Sequence, residues 1–316
     1  MNRDQKIKIA MIICGMVLAC AVILTFTGGI GVTGLGSYAN ADKYTAGETV
    51  IRDPVKNLDI NWTSGKITVV YHAENTIGLQ ETAKRELSED EKLQWWLDGD
   101  TLRVQFTKPG IRWNMPGKEL TLTLPEGTAY EEASIQLTSG DILIPALKAE
   151  KMELGATSGN MDVAVEAEKL EVHSTSGDLK IRALGTADKL QVGSTSGKIE
   201  LEAEKAGKIT AECTSGGVSV TAAEADEVKA GSTSGSVYVS LQKVNKLEIG
   251  VTSGDITAKL PEKPGFTAKV KTTSGSFNSD IALTKDDGKY VCGDGSAKVE
   301  IGSTSGNVRI EAAPEK

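Results

Sequence analysis

The triplet Thr-Ser-Gly occurs ten times in this chain, starting at Thr63, Thr138, Thr157, Thr175, Thr195, Thr214, Thr233, Thr252, Thr273 and Thr304. From Thr138 to Thr252 the copies fall every 18 to 20 residues. Self-similarity at a fixed period is the signature of a repeat architecture, in which one unit cannot bury its own apolar face and stacked units can.

The flanking positions say what each unit is. Two residues after the glycines stand Ile67, Ile142, Met161, Leu179, Ile199, Val218, Val237, Ile256, Phe277 and Val308. Three residues before the threonines stand Ile60, Ile135, Leu154, Val172, Val192, Ala211, Ala230, Ile249, Val270 and Ile301. Every one is apolar, and polar residues alternate with them, so each repeat predicts two short strands with one buried face. The corner glycines, Gly65, Gly140, Gly159, Gly177, Gly197, Gly216, Gly235, Gly254, Gly275 and Gly306, read as structural turn residues that need positive φ. The predicted fold is all-β: a parallel β-solenoid with two strands per coil of about 19 residues. An antiparallel meander with the triplet as hairpin loop is the rival geometry.

Along the chain, residues 1–8 form a short basic terminus and 9–30 a transmembrane anchor. Residues 31–44 are a linker, 45–132 a first rung with an irregular capping region, and 133–312 the regular coils. Residues 9–26 carry no charge and are long enough to span a bilayer. Arg3, Lys6 and Lys8 precede them, which holds the N-terminus inside and places the remainder outside the cytoplasm. Ala39-Asn40-Ala41 leaves a cleaved signal peptide open, and Val17-Leu18-Ala19-Cys20 a lipoprotein. In the capping region Ser88-Glu89-Asp90-Glu91 reads as a capping box, so a short helix is expected with Leu93, Trp96 and Leu97 on one face. Strands are expected at 102–106 and 120–125. The end after Val308 has no evident cap. Either the 280–297 insert folds over the last rung, or that rung meets a partner.

The net charge of −8 combines +2 from residues 1–41 with −10 from the rest. That balance opposes nucleic-acid binding. Catalytic residues, cofactor and metal are all expected to be none. Gly193-Ser194-Thr195-Ser196-Gly197 resembles a nucleophile elbow, but its middle residue is Thr and the motif recurs at Gly231 and Gly302. Asp141, Asp178 and Asp255 follow corner glycines without calcium-loop spacing. His72 and His173 are the only histidines. His173 alternates with core positions and is expected to face solvent. Cys213 and Cys292 lie too many rungs apart for a disulfide. All four tryptophans precede residue 114, and the candidate interaction surface is Arg112, Trp113 and Met115.

The repeated apolar-x-apolar-x-x-Thr-Ser-Gly-polar-apolar frame, the Leu124-Pro125 strand end and the closing Gly302-Ser303-Thr304-Ser305-Gly306-Asn307 carry a resemblance. Over residues 45–312 the chain resembles the bacterial "putative adhesin" family, a domain of unknown function built from Ser-Gly β-solenoid repeats. With its single N-terminal anchor it is similar to the LiaG-like members linked with Gram-positive envelope-stress operons. The resemblance implies an extracytoplasmic, non-enzymatic role and supplies no binding residues. The expected partners are the membrane through the N-terminal helix, and an envelope protein, a cell-wall polymer or a cationic peptide. A carbohydrate-active enzyme on a β-helix and an inert spacer are the alternatives.

Overall fold

The computed structural model describes residues 38–110 and 115–314. The chain divides into two units, one comprising Thr25–Gly177 and one holding Asp178–Lys316. Among the described residues the structure is all-β, the exception being a three-residue 3-10 turn at Ala41–Lys43. The N-terminal anchor expected from residues 9–30 lies outside the described residues.

In the first unit Asn57–His72 runs parallel to Ala129–Ser158, with Trp62 opposite Leu137, Gly65 opposite Gly140 and Ile67 opposite Ile142. Ala129–Ser158 bends through its own corner and pairs onward with Met161–Ser176, placing Ile142 opposite Met161 and Leu154 opposite Val172. In the second unit Leu179–Ser196, Ile199–Ser215, Val218–Ser234 and Val237–Ser253 stack in the same phase, with Val192, Ala211, Ala230 and Ile249 in one column. Parallel, in-register rungs are what a β-solenoid requires, and they exclude the antiparallel meander.

The column positions form the core. Ile60, Ile135, Leu154, Val192, Ala211 and Ala230 are each 0 % exposed. Burying a side chain of Val or Leu size contributes roughly 1.5–3 kcal/mol, and each rung supplies several of them. The expectation of two short strands per coil is revised: Met161–Ser176, Leu179–Ser196 and Ile199–Ser215 are single ladders of 16, 18 and 17 residues. A neighbouring rung that bends in parallel offers hydrogen-bond partners around the bend, with register shifts at Ile144/Leu147 and Ala183/Thr186. Rung-to-rung bonds continue at the corners, where the Gly197 N–H donates to the Ser215 carbonyl.

Chain order and stacking order diverge in both units. In the first, Asn57–His72 is interior. Thr101–Gln105 and Lys118–Pro125 pair in parallel with its other side, forming an outer rung without the triplet. Gln94–Asp98 and Ile77–Ala83 then cover that rung as antiparallel strands. The seal is complete: Leu102, Val104, Leu120, Leu122 and Leu124 are all 0 % exposed.

The helix expected near Ser88 is a strand instead. Half of the capping box forms, with the Ser88 N–H and hydroxyl donating to Glu91 Oε2 at 3.0 and 3.1 Å, while the Glu91 N–H donates to the Ser88 carbonyl rather than to its hydroxyl. It closes a single turn. From Gln94 onward the chain pairs with the edge of Thr101–Gln105, because an open ladder next to it outweighs local helix propensity.

In the second unit Val237–Ser253 pairs with Ala297–Ser305, and Ile256–Leu260 with Val308–Ala312. Gly265–Ser274 and Phe277–Ser279 pair with the far side of the same strands. The rung expected to end the stack is therefore interior, and the rung holding Thr273 lies outside it. The insert makes this possible. Thr284–Asp286 and Lys289–Gly293 form a hairpin, and Lys289–Gly293 covers residues 265–268 on the way back.

Candidate functional site

The corners come first, because they fix where every other side chain stands. All ten triplet glycines take positive φ, from +116° to +149°. Space forbids a side chain as strongly as φ does. A Cβ on Gly140 would lie 1.6 Å from the Gly65 carbonyl oxygen, and one on Gly306 2.0 Å from that of Gly254. The residue after the glycine completes the corner. Asp141 Oδ1 accepts from the Asn160 N–H at 3.0 Å, Asp178 Oδ1 from Lys198 at 2.8 Å, and Asp255 Oδ1 from Asn307 at 2.7 Å. These carboxylates satisfy the corner amides of the adjacent rung. No cluster of three or more His, Cys, Asp or Glu among the described residues is arranged to hold a metal ion.

Of the buried serines of the elbow-like motif, two are committed, while Ser303 Oγ has no hydrogen-bond partner among the described residues. The Ser194 hydroxyl donates to the Ser196 carbonyl and that of Ser232 to the Gly216 carbonyl, both at 2.9 Å. Cys213 and Cys292 are free, buried thiols, and burial raises the pKa of both.

Of the sequence-predicted surface, Arg112 and Trp113 lie outside the described residues, and Met115 is half-buried. The other tryptophans serve the cap. Trp62 is 2 % exposed, donates from Nε1 to the Lys118 carbonyl at 2.9 Å and meets Phe106 edge-on at 4.9 Å. Trp96 is half-buried against Tyr44, with Lys43 over its ring at 4.7 Å. Lys118 sits at the centre of the cap, fully buried. Its Nζ pairs with Glu81 Oε2 at 2.7 Å and donates to the carbonyls of Glu91, at 2.7 Å, and Phe106. Burial pulls the ammonium below the ordinary lysine range, and Glu81 partly restores it.

The polar face of the rungs carries two further buried ionisable groups. Both lie two residues before a triplet threonine, a column occupied by glycine at 155, 193, 231, 250 and 302. Contrary to expectation, His173 is 3 % exposed. It lies opposite Gly155, whose missing Cβ would fall 2.4 Å from His173 Nε2 and 1.9 Å from Gln136 Oε1. Gln136 is held by Glu153, at 3.1 Å. The glycine leaves a hollow into which both neighbouring side chains fold, and alternation alone could not show this. Glu212 is 1 % exposed, has Gly193 and Gly231 opposite it on either side, and pairs with Lys229 at 2.7 Å. Burial pushes its carboxyl above the usual range and Lys229 pulls it back. A large polar residue in a column of glycines is the sequence signal that would have found both.

His173 yields a pH prediction. Burial holds its imidazole below the ordinary histidine value of about 6.5. The unfolded chain therefore binds the proton more readily, so this contribution to stability is full above about pH 6.5 and is lost as pH falls toward the lowered folded value. Urea midpoints of wild type and His173→Gln should diverge between neutral pH and pH 5, with the wild type losing more. Equal slopes would refute the assignment.

Opposite charges stack at the surface. Glu224 lies between Lys205 and Lys243, at 3.5 and 2.7 Å, and Glu227 between Lys208 and Lys246, at 3.5 and 3.1 Å. Exposed pairs of this kind add little stability. The alternation is confined to these rungs: further along the second column Lys189 lies opposite Lys208 and Lys246 opposite Lys298, so this face carries columns of charged side chains at the rung spacing, about 4.8 Å.

The model of the Toastrack DUF4097 family matches residues 55–311, from the first triplet rung to the last strand. The chain belongs to the Toastrack family. That family match agrees with the adhesin-like, domain-of-unknown-function resemblance of the repeats. A search of curated proteins finds no match. Among solved structures, this Toastrack chain is similar to a "putative cell adhesion protein" from Clostridium sporogenes ATCC 15579, at 14 % identity and a TM-score of 0.24, covering 85 % of this chain and 100 % of that one. A "putative adhesin" from Bacteroides fragilis NCTC 9343 matches at 15 % identity and a TM-score of 0.33, over 84 % of this chain and 97 % of that one.

Proposed function

We propose that this Toastrack chain is a membrane-anchored, extracytoplasmic interaction scaffold of the adhesin-like or envelope-stress kind, with no catalysis of its own. The observation that carries the reading is the polar face of the coils. Many of its titratable groups are tied up in corner amides, rung-to-rung ion pairs and buried packing, and what it offers outward is columns of charged side chains. Such a surface binds by many shallow contacts, whose affinity comes from repetition.

The membrane part of the reading rests on the uncharged run 9–26 behind Arg3, Lys6 and Lys8. No helix among the described residues is long and apolar enough to cross a membrane. The ligand classes that fit are an envelope protein, a wall polymer or a cationic peptide, the last drawn by the net −10 beyond residue 41.

The test is a photo-crosslinking residue at exposed Lys198 of the full-length protein in intact cells. Capture of a defined membrane protein or of wall polymer is the expected result. Background capture only, or polysaccharide cleavage by the purified protein, would overturn the reading.

A further inference from the structure

The two outer rungs are closed to different degrees. In the first unit antiparallel strands cover both legs of the outer rung. In the second unit the hairpin covers residues 265–268 only, leaving the outer edge of 269–279 with no strand partner among the described residues. The core registers the gap. Of the ten apolar residues three positions before a triplet, nine are at most 2 % exposed, whereas Val270 is half-buried. Phe277 is half-buried too, against Tyr290 at 4.7 Å, while its nine counterparts are also at most 2 % exposed. The backbone shows the same gap. Gly254 donates its N–H to the Ser305 carbonyl and Gly306 to that of Ser274. Gly275 is the next in this series, and among the described residues no rung follows it.

We infer that the edge 269–279 is a strand-addition site for an extended acidic segment of a partner protein. Backbone pairing supplies the affinity in such docking, and alternate side chains supply the specificity. Charge selects the occupant here. Residues 265–279 carry Lys269 and Lys271 and no acid, in a chain of net charge −8. Lys269 is exposed and faces outward beside Val270. A segment adding in parallel would set an apolar residue over Val270 and acids opposite the two lysines. A basic edge also discourages pairing between copies. This inference rests on the interaction-scaffold reading. It is tested separately, because crosslinking from Lys198 does not involve the edge.

The probe is a fluorescent peptide with the sequence of residues 297–305 carrying Lys298→Glu and Gly302→Glu, titrated into the full-length protein in detergent. Its parent segment already pairs in parallel with this rung from the inner side, with position 300 opposite Lys269. Saturable binding is expected, at least tenfold weaker for the Lys269→Glu/Lys271→Glu double variant at unchanged Tm, and intermediate for Lys269→Ala/Lys271→Ala. No saturable binding, or equal binding to all three proteins, would overturn the site. So would concentration-dependent dimerisation abolished by the same double variant, which would assign the edge to a second copy.

Discussion

Gly306→Ala should leave little or no folded protein, while Gly302→Ala, four residues earlier in the same Gly-Ser-Thr-Ser-Gly motif, should be almost silent. Gly306 has φ +141°, and a Cβ there would lie 2.0 Å from the Gly254 carbonyl oxygen. That oxygen belongs to backbone locked into the adjacent rung, so neither partner can yield. Gly302 has no positive φ, and a Cβ on it meets nothing within 4 Å. The expected cost at Gly306 exceeds about 4 kcal/mol, beyond the usual range for single substitutions, and at Gly302 it stays within about 0.5 kcal/mol. Denaturant melts of the two variants check this. Comparable losses would mean that the corners are not close-packed as described.

Lys118→Ala carries the second large effect, through a different mechanism. The substitution removes an ammonium that is fully buried and leaves Glu81, with a side chain 6 % exposed, as an uncompensated charge. It also strips a donor from the carbonyls of Glu91 and Phe106 and the cation from the rings of Trp62 and Phe106. Breaking a buried pair from one side costs about 3–5 kcal/mol. Replacing both partners with apolar residues of similar volume, Lys118→Met with Glu81→Leu, should recover a large part of that loss. Thermal melts of single and double variants form the test. If the double variant is no more stable than Lys118→Ala, the buried charge is not what the single substitution exposes. The cap is the expected casualty, since Lys118 joins the turn at Glu91, the strand end at Phe106 and the covering strand through Glu81.

Much of the coil was legible because its requirements are local and repeated. Only glycine satisfies the corner of a regular coil, so the triplet marks each of these, and the apolar positions before and after it mark the strand faces; the outer rung of the first unit, which lacks the triplet, carries no such mark. The errors fell where one rung meets a different one. Alternation along its own strand points His173 to solvent, but Gly155 opposite it opens the hollow that buries it. The helix expected near Ser88 fitted the residues from 88 to 97 and failed because a strand edge lies beside them. For the candidate surface, Met115 is half-buried, and the rest of that stretch lies outside the described residues.

The sequence by itself determined the all-β class, the coil period, the corners and the inward residues, because each depends on positions within one repeat. The tertiary structure alone decided which rung lies where. Near-identical frames fit beside one another in any order, so no pattern within a frame shows that the rung at Thr304 lies between those at Thr252 and Thr273. That order is set by the 280–297 insert, long enough to carry the chain back over residues 265–268. The same return leaves the edge 269–279 without a covering strand among the described residues, and so the arrangement of the insert, more than the repeat itself, decides which strand edge stays open.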